Sequence, residues 1–144
     1  NPDKDAKISF TNIFYLVVKP VSKSRDVVNV VTGFIGSNLK NETTTLGRNG
    51  SNYTASLLAN YLDADELQNY THVDGIFTAN PDLVSDAKKI EELSFSEANE
   101  LANFGANILH AKTIIPLIEK NINLRILNTF NQKDGGTLIT AKSS

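Results

Sequence analysis

A three-layer α/β/α fold with a mainly parallel sheet is the architecture that this 144-residue sequence predicts. Two observations carry that prediction. Short apolar or β-branched runs alternate with stretches of helical periodicity, the pattern of a parallel sheet covered on both faces. The loops Gly47 to Ser51 and Val73 to Asp82 each follow a predicted strand, so both lie beyond the carboxyl ends of strands, where ligands sit in open α/β sheets. With 40% hydrophobic and 21% charged residues, the composition is that of one globular domain with enough apolar material for a core.

In chain order, Asn1 to Lys7 is polar and reads as a frayed end, and residues 1–25 fit no single element. Ile8 to Lys19 matches neither the helical nor the strand period, so both stay open until Pro20 ends the run. DVVNVVT, Asp26 to Thr32, reads as a short buried strand closed by Gly33. GFIGSNLKNE follows as a turn-rich loop, and Thr43 to Leu46 is a short strand. Then comes LGRNGSNYTASLLANYL, Leu46 to Leu62, the stretch on which the functional reading turns. Gly47 and Gly50 bracket Arg48 and Asn49, Ser51 or Asn52 stands at the N-cap, and Ala55, Leu58, Ala59 and Leu62 form an apolar stripe. A helix start of this kind presents unpaired amides and the positive end of the macrodipole to an anion. The glycines let that anion approach the backbone, and Arg48 offers a two-pronged fork for carboxylate or phosphate.

Asp63, Asp65 and Glu66 read as a solvated connection, and Leu67 to Val73 as a strand. DGIFTANPDLVSDA is a long loop with turn signals at Asp74-Gly75 and Asn80-Pro81. Lys88, Lys89, Glu91 and Glu92 read as a charged face. Ser94 and Glu97 form a capping box for a helix reaching about Phe104, with Ala98, Leu101 and Ala102 inward and Gly105 as its stop. A further helix is predicted from Ala111 to Lys120, burying Ile114, Ile115, Leu117 and Ile118, with Pro116 tolerable only in the first turn. Leu124 to Leu127 and Thr137 to Thr140 are strands, separated by a turn at Lys133 to Gly136.

Composition excludes several function classes. Fourteen Lys and Arg stand against sixteen Asp and Glu, a net charge of -2, so there is no basic field for nucleic acid or an acidic membrane surface. No apolar run approaches a membrane span and NPDKDAKISF is unlike a signal peptide, so the cytoplasm is the expected location. Asn-x-Ser/Thr triplets are therefore read as chance. Without cysteine there are no disulfides, thiolate sites or cysteine nucleophiles. His72 and His110 lack a second ligand at helical spacing, so no protein metal site is expected. The absence of methionine points to a processed chain or an excerpt from a longer one.

Four ordered blocks carry a family resemblance: LGRNGSNYTASLLA, YTHVDGIFTANPDLV, LSFSEANELANFGANILHAKTIIPL, and LRILNTFN with GGTLI. Together, from near Val30 to Ile139, they resemble the amino acid kinase family and within it the aspartokinases. The FGANILH and NTFN wording is most similar to kinase domains fused to a homoserine dehydrogenase. The resemblance implies an amino acid kinase-like fold and ATP-dependent phosphorylation of the L-aspartate β-carboxylate, with ATP and Mg²⁺, at the head of lysine, threonine and methionine synthesis. It makes Arg48, assisted by Gly50 and Ser51, the grip on the aspartate α-carboxylate, and Asn52 the catalytic position. It makes Thr71, His72, Asp74, Gly75, Phe77 and Asp82 the nucleotide-side wall, with Asn107 and Ile108 near the base or phosphates.

Departures from the family pattern fall on charged positions. Asn52 replaces the aspartate that follows Gly-Ser, His72 the aspartate of T-D-V, Asp82 the arginine of D-P-R and Asn107 the lysine of FGAK, and His110-Ala111 stands for H-P. An N-terminal K-F-G-G-T/S segment and the regulatory ACT modules have no counterpart in these residues. The expectation is one partial domain over residues 1–144, the C-terminal, nucleotide-binding half of the kinase, which does not turn over alone. Its uncovered apolar surface would favour self-association, and the missing N-terminal half would be its partner. Two alternatives stand beside this reading: another amino acid kinase of uridylate or glutamate type, and a decayed nucleotide-binding or assembly module.

Overall fold

The computed structural model describes residues 30–103, 111–131 and 133–141. The apolar run at Ile8 to Lys19, most of the Asp26 to Thr32 strand, the helix stop at Gly105, and Asn107, Ile108 and His110 lie outside the described residues. Among the described residues, eight strands and three helices follow in the order β1 (Ile35–Ser37), β2 (Thr43–Thr45), α1 (Gly50–Tyr61), β3 (Glu66–Thr71), β4 (Ile76–Phe77), β5 (Lys89–Ile90), β6 (Glu92–Ser94), α2 (Phe95–Asn103), α3 (Ala111–Lys120), β7 (Asn123–Asn128) and β8 (Thr137–Thr140).

The central sheet has the order β3-β7-β8-β6. β3 pairs with β7 and β6 with β8 in parallel, whereas β7 and β8 are antiparallel, so the parallel character predicted from alternation carries one reversal. That reversal follows from a short connection without a helix between β7 and β8, which only an antiparallel pair can use. Register places Leu67, Leu124, Ile139 and Leu93 in a row across the sheet. With Ile126 they point to one face, and Glu66, Gln68 and Arg125 alternate to the other. The apolar face packs on Ala59, Phe95, Ala98, Ile114 and Leu117 of the helices. Burying a side chain such as Ile126 or Ile139, both 0% exposed, is worth about 1.5–3 kcal/mol.

Several sequence expectations are corrected. Residues 30–32 form no strand, and Val30 is 95% exposed. Part of the predicted loop after Gly33 is β1, paired with β2 in a separate hairpin whose turn is closed by Asn38 Oδ1 accepting the Lys40 and Glu42 amides. In α1 the inward stripe is Ser56, Leu57 and Ala59 rather than one led by Ala55 and Leu62. Ser56 is tolerated there because its hydroxyl donates to the Asn52 carbonyl at 3.1 Å. In α3, Ile114 and Leu117 are buried but Ile115 and Ile118 are exposed, since only one stripe of a ten-residue helix can face the sheet. Pro116 lies mid-helix, not in the first turn, and its carbonyl accepts the Asn60 amide at 2.6 Å from α1. That link ties the two helices at the point where the proline offers no N–H to the preceding turn.

The acidic connection after α1 is paired as well as solvated. Asp63 bonds Lys120, and Glu66 receives Arg125 Nε and Nη2 at 3.2 and 3.1 Å. In the supposed charged face Lys89 bonds Asp134 at 2.5 Å, tying β5 to the β7–β8 turn. Hydrogen bonds from Arg125 hold the Glu66 carboxyl below its ordinary range, and that from Lys89 does the same for Asp134. A depressed folded pKa means stabilisation that is complete above the unfolded carboxylate value, about 4, and lost as pH falls through the folded one. Denaturant midpoints are therefore expected to drop steeply below about pH 4, and less steeply in Glu66→Gln. Equal acid slopes for the variant and the parent would contradict the assignment.

Candidate functional site

Helices α1 and α3 run parallel: Asn60 bonds the Pro116 carbonyl, Lys120 Nζ bonds the Asn60 carbonyl at 2.6 Å, and one turn after another they line a common groove from Tyr53 and Lys112 to Tyr61 and Glu119. This is the consequence of each helix preceding one of two parallel strands, β3 and β7. Both helix N-termini consequently emerge at the carboxyl edge of those strands.

At that edge a cavity of about 230 Å³ is lined by Leu46, Gly47, Arg48, Asn49, Tyr53, Lys112 and Thr113. The backbone explains the motif's spelling. Gly47 has φ 76° and the N-cap, Asn49, has φ 60°, the left-handed region open to glycine and, less readily, asparagine. The cap is thus Asn49 rather than Ser51 or Asn52, and its side chain makes no capping hydrogen bond. Gly50 is buried: a Cβ there would stand 2.8 Å from Leu46 Cβ, so this glycine serves close packing. Ser51 is exposed, and its Cα lies against Gly33, where a Cβ would come within 3.0 Å. Arg48 is exposed and has no hydrogen bond or ion pair among the described residues.

Asn52 does not join Arg48. It lines a separate cavity of about 40 Å³ with Ser56, Asn69 and Thr113, facing β3. The described residues that the resemblance assigns to a nucleotide lie beyond the end of the same strand. Thr71 Oγ1 accepts the Val73 amide at 3.0 Å and turns the chain. Asp74 Oδ1 accepts the side-chain amides of Asn128 at 2.8 Å and Asn131 at 3.0 Å, joining the loops after β3 and β7. Gly75, with φ 138°, lies where a Cβ would meet Thr137 Oγ1 at 2.5 Å. Thr137 Oγ1 in turn accepts the Ile76 amide and donates to the Ile90 carbonyl. Phe77 is half-buried on β4, while His72 and Asp82 are exposed, Asp82 in a turn whose amide bonds Asn80 Oδ1 at 2.9 Å. Sequence reasoning missed Lys112 at the cavity and Asn128 and Asn131 as partners of Asp74; the NTFN spelling in one of the four blocks was the available signal for the pair.

Among the described residues no group of three or more His, Asp or Glu converges as a metal site, and no helix is long and apolar enough to cross a membrane.

Comparison with known proteins agrees with the α/β fold. The sequence model of the amino acid kinase family matches residues 9–128, reaching upstream of Val30 where the four-block likeness begins. The chain is 46% identical over 114 residues to the lysine-sensitive aspartokinase 3 of Escherichia coli, covering 79% of this chain and 25% of that protein. It is 44% identical over 116 residues to the bifunctional aspartokinase/homoserine dehydrogenase of Haemophilus influenzae, covering 81% of this chain and 14% of that protein. The crystal structure of E. coli aspartokinase III in complex with aspartate and ADP superposes with a TM-score of 0.74 at 46% identity, over 78% of this chain and 25% of that one. The chain thus spans about a quarter or less of the length of these relatives. A family match over most of its residues, with close relatives and the α/β fold to accompany it, places the chain in the amino acid kinase family.

Proposed function

We propose that this chain forms the acceptor-binding and nucleotide-facing part of an aspartate kinase, which transfers the ATP γ-phosphate to the β-carboxylate of L-aspartate at the head of lysine, threonine and methionine synthesis in the cytoplasm. The observation that carries the reading is the cavity at the start of α1, with Arg48 exposed and without a hydrogen-bond or ion-pair partner among the described residues, beside a helix end with no side-chain cap. A similar protein crystallised with aspartate and ADP supports it.

Arg48 holds the α-carboxylate through its fork, with Ser51 and the first-turn amides assisting. Gly50 keeps that turn tight against Leu46. Thr71, His72, Asp74, Gly75, Phe77 and Asp82 form the nucleotide side, on which Asp74 acts as the pin between two loops because its Oδ1 already accepts two amides. Asn107 and Ile108 complete the assignment on the base or phosphate side. Mg²⁺ would enter with the nucleotide, held chiefly by its phosphates since no carboxylate cluster converges among the described residues, and would supply neutralisation of the phosphate charge. Asn52 stands at the point of chemistry as a neutral polar group. An aspartate there would form an ion pair worth about 4 kcal/mol at 4 Å and effective ε near 20 before desolvation, so this chain orients more than it stabilises charge.

The 144 residues contain no K-F-G-G-T/S segment to neutralise the transferring group, so by this reading binding and turnover separate. Exposed Val30, Leu39, Leu83 and Phe130 support self-association, or cover by the rest of a kinase domain. Calorimetric titration of the chain is expected to detect L-aspartate and Mg-ATP, while a coupled ADP-release assay shows no aspartate-dependent turnover. The substitutions at Asn52, His72, Asp82 and Asn107 favour a second reading, a decayed nucleotide-binding or assembly module. No binding of either substrate at millimolar concentration would select it, and preference for uridylate or glutamate over aspartate would select a different kinase of the family.

A further inference from the structure

Two large apolar side chains of α3 face outward: Ile115 is 55% exposed and Ile118 46%. Neither belongs to the core cluster, and neither lines the cavity at Arg48. Ile115 instead lines the groove between α1 and α3, a cavity of about 350 Å³ that also takes in the buried Leu57 and Pro116 and the half-buried rings of Tyr53 and Tyr61, except that Pro116 and Leu57 form its apolar base. Lys112 stands at one end of the groove and Glu119 at the other, two helical turns or about 10 Å apart, with Ile115 between them. Opposite charges spaced evenly about an apolar centre make a surface its own complement, because a half-turn brings the basic end of one copy onto the acidic end of another. A uniformly charged partner would lose at one end what it gained at the other. Aromatic rings and aliphatic side chains at the centre, with charge at the ends, are also the composition of an association surface.

We propose that the groove between α1 and α3 is a self-association face, on which α3 packs antiparallel against α3 of a second copy of this chain about a twofold axis beside Ile115. Lys112 of each copy then lies opposite Glu119 of the other, so the pair is made twice. Ile115 of each copy enters the groove of the other next to Pro116, and Ile118 loses its exposure at the edge of the contact. The pairing does not need Lys112 to be free. Lys112 already interacts within its own chain, and an ammonium carries three N–H donors. Glu119 keeps a second carboxylate oxygen beyond the one that accepts the Asn60 amide at 3.3 Å. Burial of the apolar centre supplies the attraction, and the charges at the ends fix the register. None of this depends on the aspartate kinase reading.

Sedimentation velocity of the 144-residue chain is expected to show a concentration-dependent dimer. Ile115→Asp should weaken it about tenfold or more by placing charge at the apolar centre. Lys112→Glu and Glu119→Lys should each do the same, since either one sets two like-charged pairs face to face. All three positions are exposed, so thermal unfolding of the variants should stay close to that of the parent. Mixing decides the register. Lys112→Glu and Glu119→Lys in equal amounts restore opposite charges at both ends and should form a heterodimer about as tight as the parent dimer, although neither variant pairs with itself. Each of three results overturns the proposal. A parent that stays monomeric at every concentration leaves the groove to solvent or to a different partner; a dimer that ignores Ile115→Asp places self-association on another surface; and charge variants that stay apart on mixing exclude the antiparallel pairing.

Discussion

Gly136→Ala is expected to lower stability by about 3 kcal/mol or more, a large fraction of the roughly 5–15 kcal/mol that keeps a domain folded. Gly136 has φ 67°, which costs an alanine about 1–2 kcal/mol. Space is the larger problem. A Cβ there would overlap the Ile126 carbonyl, in the central strand of the sheet, and crowd Leu127 Cδ2 at 3.1 Å. Relief requires β7 and β8 to part, and overpacking of this kind typically costs a further 1–3 kcal/mol, by rough estimate. Thr137, the next residue, is fully buried and its hydroxyl links Ile76 to Ile90, so displacement would also disconnect the β4–β5 hairpin. Gly135→Ala supplies the comparison, because a Cβ at Gly135 meets nothing within 4 Å. Urea unfolding should separate the two variants clearly. Matching midpoints would mean that the turn relaxes freely and that Gly136 does not set the β7–β8 register.

The contrast between these adjacent glycines shows what sequence alone conveys. Lys133 to Gly136 was legible as a turn, but nothing in the letters says which glycine the sheet cannot replace. Elements with strong local signals were read close to their true bounds: Thr137 to Thr140 and Ala111 to Lys120 coincide with β8 and α3, and the Ser94 capping box is present, with Glu97 Oε2 accepting the Ser94 amide at 2.7 Å. Elements defined by partners were not. β6 is three residues long and mostly polar, so only its place beside β8 makes it a strand. The burial of Leu57 in place of Leu62 has the same origin, since a helix with weak apolar asymmetry is oriented by what it packs on, here α3.

The site follows the same division. The turn geometry at the start of α1 was legible, because the glycines Gly47 and Gly50 mark where the backbone turns and packs closely. How the residues group was not. Asn52 follows Ser51 directly, yet helical rotation turns it from the cavity of Arg48 into a separate one against β3. Asp74 looked like a nucleotide contact, but Asn128 and Asn131, more than fifty residues away, occupy its Oδ1. In both cases the side chain is turned or tied by contacts remote in sequence, whereas Arg48 makes no hydrogen bond or ion pair among the described residues. On the proposed reading, the departures from the family pattern fall on the catalytic and nucleotide sides, while the acceptor grip keeps its arginine.

Arg48→Ala should consequently separate binding from folding. The side chain is exposed and makes no hydrogen bond or ion pair among the described residues, so its removal should shift stability by no more than about 0.5 kcal/mol. A bidentate charged contact to a carboxylate is worth about 1.5–3 kcal/mol, which converts to a loss in L-aspartate affinity of roughly 10- to 100-fold. Mg-ATP affinity should stay within about twofold of the parent, since the nucleotide side hangs from β3 and β7 and not from the turn before α1. Arg48→Lys should recover only part of the loss, because a point charge cannot reproduce the fork. Calorimetry with each ligand measures all of this. Unchanged aspartate affinity in Arg48→Ala, or an equal loss for aspartate and nucleotide, would remove Arg48 from the acceptor site and, with it, the reason to read this helix start as more than a packed turn.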